Sequence, residues 1–225
     1  MTAVPSARVG DMKAVYDSIA SQRLPRGWQW EWVVQHDGRI RAVEELPLGD
    51  ERVRGDACKH SGGAEPWNLA LHRAVGELVR VLDADAVLTP GALAGDIEKL
   101  AGDNRLGWTA CRATTSVPSG RVEREWVYDH WRTHDFSLPL DPATMCFRRD
   151  LAVSLGGWSG IPGSEGVMLA IAAGMVSAGF VRQEPGLVRS GDAPGCSDEL
   201  DSVSVEAIRA RAEALRRLIV PGYDR

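Results

Sequence analysis

Glu77-Leu78-Val79-Arg80-Val81-Leu82-Asp83-Ala84-Asp85 decides the fold, because an apolar run stops there on two carboxylates separated by one small residue. Leu78, Val79, Val81 and Leu82 make a short, near-continuous hydrophobic stretch, the pattern of a strand covered on both faces in an α/β sheet. Ligands of open α/β sheets bind beyond the carboxyl ends of strands, where Asp83 and Asp85 would sit. In an extended segment residues 83 and 85 point to the same side, so two hard oxygen ligands can converge on one divalent cation, and Ala84 keeps the approach open. The competing reading gives both aspartates to the cap of the following helix. However, Leu88-Thr89-Pro90-Gly91-Ala92-Leu93 reads as that helix start by itself, with Thr89 as N-cap and Pro90 at the first helical position.

The composition fits one ordinary globular domain: 225 residues, 44% hydrophobic and 25% charged. The expected organisation is a single domain over residues 1–225. A ligand-binding half covers 1–113, a second half 114–200, and an amphipathic helix the remainder. A net charge of −5 and a pI near 5.6 argue against a nucleic-acid partner, which asks for a basic footprint. Cys58, Cys111, Cys146 and Cys196 show no Cys-x-x-Cys spacing, so free thiols in a reducing compartment are expected rather than a zinc site or a disulfide framework. No apolar run approaches the roughly 18 residues of a membrane span, and no charged-then-apolar leader opens the chain. A cytoplasmic protein is the resulting expectation.

Around the central stretch, Met12, Val15 and Ile19 fall at helical spacing. Trp28 to Val34 alternates like a strand, with Trp28, Trp30 and Trp32 on one face, and ends in Gln35-His36-Asp37-Gly38. Its tryptophans are assigned to packing rather than to a ligand, and Asp37-Gly38 is either a ligand contact after a strand or a plain turn signal. Ser61-Gly62-Gly63-Ala64-Glu65-Pro66-Trp67-Asn68 reads as a glycine loop opening a helix, where backbone N–H groups can approach a phosphate or sugar. Residues 114–141 carry Trp126, Tyr128, His130, Trp131 and His134, and read either as a ligand-pocket lining or as an exposed irregular insert. His130 and His134 lack a legible third ligand, which disfavours zinc. Asp141 and Asp150 flank a further strand; then Ser164-Glu165 opens a very apolar helix over Val167 to Ala178. From the residues alone Glu165 is an ordinary first-turn acid favoured by the helix dipole, with Ser164 as N-cap. Residues 186–197 read as a Gly/Pro/Ser/Asp loop able to close as a lid. Val205, Ile208, Ala212 and Leu215 on one stripe, with Arg209, Arg211, Arg216 and Arg217 opposite, mark an amphipathic tail helix that docks on the body or on a partner, a second copy included.

Asn68-Leu69-Ala70-Leu71, Ala74-Val75-Gly76-Glu77, Leu82-Asp83-Ala84-Asp85 and Leu88-Thr89-Pro90-Gly91, taken in series, resemble a family 2 glycosyltransferase of the GT-A fold. The resemblance spans about Ala3 to Arg189. It implies an α/β fold: a single GT-A type domain with a mostly parallel central sheet flanked by helices, the nucleotide-binding half preceding the acceptor half. It implies that Asp83 and Asp85, the Asp-X-Asp pair, hold Mn2+ or Mg2+ against the diphosphate of a UDP-, GDP- or dTDP-linked sugar. Pro5, Asp37, Gly63, Asn68, Ala84 and Arg189 would line that donor. Phe147-Arg148-Arg149 and Gly156-Gly157-Trp158 resemble the family's approach to the acceptor side, after which Glu165 would be the base that deprotonates an acceptor hydroxyl, giving inversion. The family opens on a longer apolar strand than Thr2-Ala3-Val4, so the first strand is either trimmed or entered part-way.

The chain departs from the family pattern at three places. His36 stands for the first aspartate of Asp-Asp-Gly-Ser, Pro66-Trp67 for Ala-Arg, and Gly166 for the aspartate of Glu-Asp. These departures keep a second expectation open, a nucleotide- or glycan-binding protein on the same fold without turnover. A nucleotidyltransferase is the third, weakened because a Gly-rich, Lys/Arg-bearing loop after the first strand is missing.

Overall fold

The short apolar runs become strands of one twisted sheet. A computed structural model describes residues 1–4, 12–38, 46–47, 49–58, 63–112, 117–161, 163–189 and 201–219. Its strands are β1 (Thr2–Val4), β2 (Trp32–Asp37), β3 (Val53–Cys58), β4 (Leu78–Arg80), β5 (Ala86–Leu88), β6 (Leu106–Cys111), β7 (Gly120–Val122), β8 (Cys146–Arg148), β9 (Ala178–Arg182) and β10 (Leu187–Arg189). The helices are α1 (Met12–Ala20), α2 (Glu65–Arg73), α3 (Ala92–Gly102), α4 (Trp126–Thr133), α5 (Arg149–Ser154), α6 (Glu165–Val176) and α7 (Ser202–Ile219), with a 3-10 turn at Pro142–Thr144.

β1, β2 and β3 pair in parallel, and β4, β8, β6, β9 and β7 follow one another in a mixed sheet. Met1 joins the two: its amine donates to the Arg80 carbonyl at 2.8 Å and its carbonyl accepts from the Leu82 amide at 3.1 Å. That alternation is a parallel bridge, so the sheet order is β3-β2-β1-β4-β8-β6-β9-β7. β3, β2, β1, β4, β6 and β9 run one way, and only β8 and β7 oppose them. The expected α/β architecture, a mostly parallel central sheet flanked by helices, is therefore the one the chain adopts. β5 and β10 form a separate antiparallel ribbon just beyond the carboxyl end of β4.

Apolar layers cover both faces. On one, α2, α6 and α7 pack with Trp108, Phe147, Met145 and Ile208 into the larger core; on the other, α1 and the start of α3 close over Trp32, Val34 and Leu82. β2 is consequently buried along its whole length, polar Gln35, His36 and Asp37 included. The strand is shorter than its alternation suggested: it begins at Trp32, because Gly27 turns the chain at φ 88° and Trp28 and Trp30 lie ahead of the ladder. Trp30 instead packs beneath the Arg52 guanidinium, 3.8 Å from its ring centroid.

Three local expectations are corrected. Thr89 does not cap α3: the N-cap is Gly91 at φ 79°, and the Thr89 hydroxyl donates to the Pro185 carbonyl at 2.6 Å. The described part of the segment 114–141, residues 117–141, is not an irregular insert, and its Tyr128 and Trp131 are core residues rather than a pocket wall. It supplies β7 and α4, whose Val127, Tyr128 and Trp131 are buried in the main core. The tail helix docks on α6 with Val205, Ile208 and Ala212, and Arg211, expected on its wet face, donates to the Leu155 carbonyl at 2.6 Å. Most of the lid expected at 186–197 lies outside the described residues, and Gly186 to Arg189 lead into and form β10.

Candidate functional site

Asp83 stands where β4 has ended and the chain turns into β5. Its carboxylate accepts from Arg189 Nη2 at 3.3 Å, and Arg189 Nη1 reaches Asp141 Oδ2 at 3.2 Å. Pairing of β10 with β5, which sets Arg189 opposite Ala86, is what brings that guanidinium back over the Asp83-Ala84-Asp85 turn. Burial raises the Asp83 pKa, opposed by Arg189 and reinforced by the neighbouring charges of Asp85 and Asp141, so these acids share one electrostatic site. Its side chain is still 32% exposed, open on one side to a ligand. Among the described residues no three His, Cys, Asp or Glu side chains converge into a protein-only metal cage. Two carboxylates on a turn fit a hard divalent cation that takes its remaining oxygens from ligand and water, and the guanidinium on Asp83 shows that this oxygen already receives positive charge.

A second group of expected residues meets across the two halves. Gly63, at φ 63°, ends the glycine loop just ahead of α2, and Glu165 opens α6; a Cβ on Gly63 would sit 3.5 Å from Glu165 Oε1. The left-handed backbone suits glycine, and the missing side chain leaves the Glu165 carboxylate beside the loop. Asn68 has a different task from the one expected. Its side chain donates to the Trp158 carbonyl at 3.0 Å and accepts from the Trp158 amide at 2.8 Å, and Trp67 stacks on the Trp158 ring with centroids 5.4 Å apart. Gly157, at φ 69°, comes so close that any Cβ would overlap the Asn68 oxygen. Gly156-Gly157-Trp158 is thus locked onto α2. Ser164, the expected cap of α6, spends its hydroxyl on the Ile161 carbonyl at 3.0 Å.

Asp37 lies buried at the carboxyl end of β2, opposite Cys58 in the neighbouring strand. Ala84 is buried between the two aspartates. Pro5 lies outside the described residues. His130 and His134 stack ring on ring at 3.8 Å along α4, with no third ligand among the described residues.

Two features were not singled out from the sequence. One is Asp141 as a partner of Arg189; its only signal was the Asp141-Pro142 step after the polar segment. The other is a buried ionic knot. Asp96 takes both Arg80 and Arg182, with Arg182 Nη1 at 3.0 Å, and accepts from the Thr109 hydroxyl at 2.8 Å. Arg80 also donates to the Gly186 carbonyl at 3.3 Å, which ties the root of β10, and so Arg189, to the sheet.

A cavity of about 590 Å³ lies at the other, amino end of the sheet, lined by Trp28, Trp30, Leu78, Val79 and Met1 among others. Three of its charged groups are engaged within the protein: Glu31 takes the Val75 and Gly76 amides at 2.7 and 2.8 Å, and Arg80 and Asp96 take each other. The reactive-group geometry is therefore at the carboxyl end, not in this cavity.

The sequence matches no protein-family model and no curated protein. Solved structures match it in fold. The mannosyltransferase PcManGT from Pyrobaculum calidifontis, in complex with GDP-Man and Mn2+, superposes with a TM-score of 0.56 at 23% identity, over 81% of this chain and 54% of that one. S. aureus TarS 1–349 in complex with UDP-GlcNAc gives a TM-score of 0.67 at 14% identity, over 97% and 70%. The same TarS fragment in complex with UDP gives 0.61 at 16% identity, over 83% and 58%. The chain spans about half the length of PcManGT. Its fold is the fold of these nucleotide-sugar and nucleotide complexes. Among the described residues no helix is long and apolar enough to cross a membrane.

Proposed function

We propose that this chain is a metal-dependent glycosyltransferase, of the inverting family 2 type, that moves a sugar from a nucleoside-diphosphate sugar to an acceptor hydroxyl. The observation that carries the reading is the carboxyl-end site itself, with Asp83 and Asp85 from the first half met by Arg189 of the second, and Glu165 of the second half set against Gly63 of the first. Fold likeness to complexes holding GDP-Man with Mn2+ and UDP-GlcNAc supports the donor class.

Asp83 and Asp85 would hold Mn2+ or Mg2+. When bound, that cation neutralises charge developing on the departing diphosphate. Arg189 adds a second positive group on the same side, suited to two phosphate oxygens by its planar fork. Glu165, at the amino end of α6, takes the proton of the acceptor hydroxyl as its oxygen attacks the anomeric carbon from the face opposite the diphosphate. The locked Gly-Gly-Trp segment keeps the acceptor side at a fixed distance from α2.

Calorimetric titration of UDP, GDP and dTDP, each with Mn2+ and with chelator, tests the reading. Binding of one of them only with the metal is expected, and weakening of that binding by Asp85→Ala. Equal affinity in chelator and in Mn2+ overturns the metal site, and no binding of UDP or GDP, nor of dTDP, overturns the donor class.

A further inference from the structure

The grip of Asp141 on Arg189 has no role in the reaction just described, yet it is the firmer of the two ion pairs that guanidinium makes among the described residues. Asp141 Oδ1 accepts from the Ala143 amide at 3.0 Å, and its carbonyl takes the Thr144 amide and hydroxyl at 2.9 and 2.7 Å. The Thr144 hydroxyl in turn accepts from the Cys111 amide at 2.8 Å, which fastens the 3-10 turn to β6. Oδ2 is left pointing at Arg189. Asp83, the other partner, lies on a turn and is the more exposed, at 32% against 24% for Asp141.

We infer that Asp141 is a positioning residue for the donor: it keeps one side of the Arg189 guanidinium fixed while the other side exchanges Asp83 for a phosphate oxygen of the nucleoside diphosphate. The inference rests on the proposed donor class. A cation held by Asp83 would weaken that carboxylate's hold on the guanidinium, already the longer of the two contacts at 3.3 Å, so Nη2 can exchange Asp83 for the diphosphate when metal and nucleotide arrive together. The arriving phosphate oxygens supply the replacement partner. Nη1 stays, because Asp141 is held by backbone groups that no ligand displaces. Without Asp141 the arginine, free of Asp83, has no fixed plane and loses more side-chain freedom on binding the diphosphate.

Asp141→Asn is a clean probe, since the amide oxygen can still accept from Ala143 and keep the turn while the negative charge on Arg189 is lost. The expected result is a loss of roughly tenfold in the affinity of UDP, GDP or dTDP with Mn2+, the worth of about one charge-assisted hydrogen bond. In kinetics with a donor, KM should rise by more than kcat falls. In an Arg189→Ala background the same Asp141→Asn change should weaken nucleotide binding no further, a coupling that a merely structural role would not produce. Unchanged affinity in Asp141→Asn, or an equal loss with and without Arg189, overturns the positioning role while leaving the donor reading standing. If the wild type binds none of these nucleotides, the donor reading falls, and this inference falls with it.

Discussion

Asp96→Asn tests how much of the scaffold depends on one buried charge. Asp96 is 1% exposed and sits between two guanidinium groups, Arg80 and Arg182, with the Thr109 hydroxyl as its third partner. The amide occupies nearly the same volume, so no cavity opens. What changes is electrostatic: two buried cations face each other with no anion between them. Removing one partner of a buried ion pair typically costs about 3–5 kcal/mol. For a chain of this size 1 kcal/mol corresponds to about 2–4 °C in melting temperature, so a fall of roughly 6–20 °C is expected. Urea unfolding followed by circular dichroism measures it, with an unchanged slope showing that stability rather than compactness moved. Thr109→Val, which removes a single neutral-to-charged hydrogen bond, should cost about 1–3 kcal/mol under the same conditions. An Asp96→Asn protein within 2 °C of wild type, on the scale of those cited melting shifts, would refute the view that the Asp96 charge holds α3, β9 and the root of β10 together.

Three further outcomes are expected. Glu165→Gln should lower turnover on a true acceptor by about 10²–10⁴-fold while leaving nucleotide affinity near wild type, measured by steady-state kinetics beside calorimetry; wild-type turnover would move the base elsewhere, with Asp141 or His134 next in line. Gly157→Ala should destabilise the fold and unlock Trp158 from α2, because a Cβ there overlaps the Asn68 oxygen and the backbone is left-handed; quenching of tryptophan fluorescence by acrylamide reads the loss, and unchanged quenching counts against it. Burial lowers the Met1 amine from 8.0 to about 5. Between those values the unfolded chain carries the proton and the folded chain does not, so stability rises with pH over that window and is lost as pH falls through it. A chain acetylated at its amine lacks this slope; parallel urea midpoints of free and acetylated chains from pH 5 to 8 would disprove the assignment.

The two halves of the site were unequally legible in the sequence. Asp83 and Asp85 could be found because a strand that ends in acids announces its own ligand end; the apolar run gives the strand and the strand gives the place. Glu165 beside Gly63 was legible only through resemblance, since the residues are far apart in sequence and neither has a distinctive neighbour. Asn68 shows why a motif position does not fix a role: the helix delivers it to the expected side, but the positive-φ glycine at 157 lets the Trp158 backbone approach first and take both its amide groups. Thr89 failed as a cap for a related reason, because Pro185 arrives from almost a hundred residues away to compete for its hydroxyl. Local chemistry proposes partners, and long-range packing chooses among them. The Asp96 knot was hidden because an aspartate, two arginines and a threonine on separate elements have no shared spacing to read.

The bridge at Met1 has a practical consequence for anyone making the protein. Antiparallel pairing with β8 uses the backbone groups of Glu77, Val79 and Val81, as the bonds from Arg149 to Glu77 and from Val81 to Met145 show. Leu78 and Arg80 therefore turn their backbone groups toward the gap beside β2, the gap that contains the 590 Å³ cavity. An affinity tag fused ahead of Met1 would not trail directly into solvent: the Met1 amine is buried, so the last residues of the tag would have to pass through the cavity between Trp28–Trp32 and Leu78–Arg80.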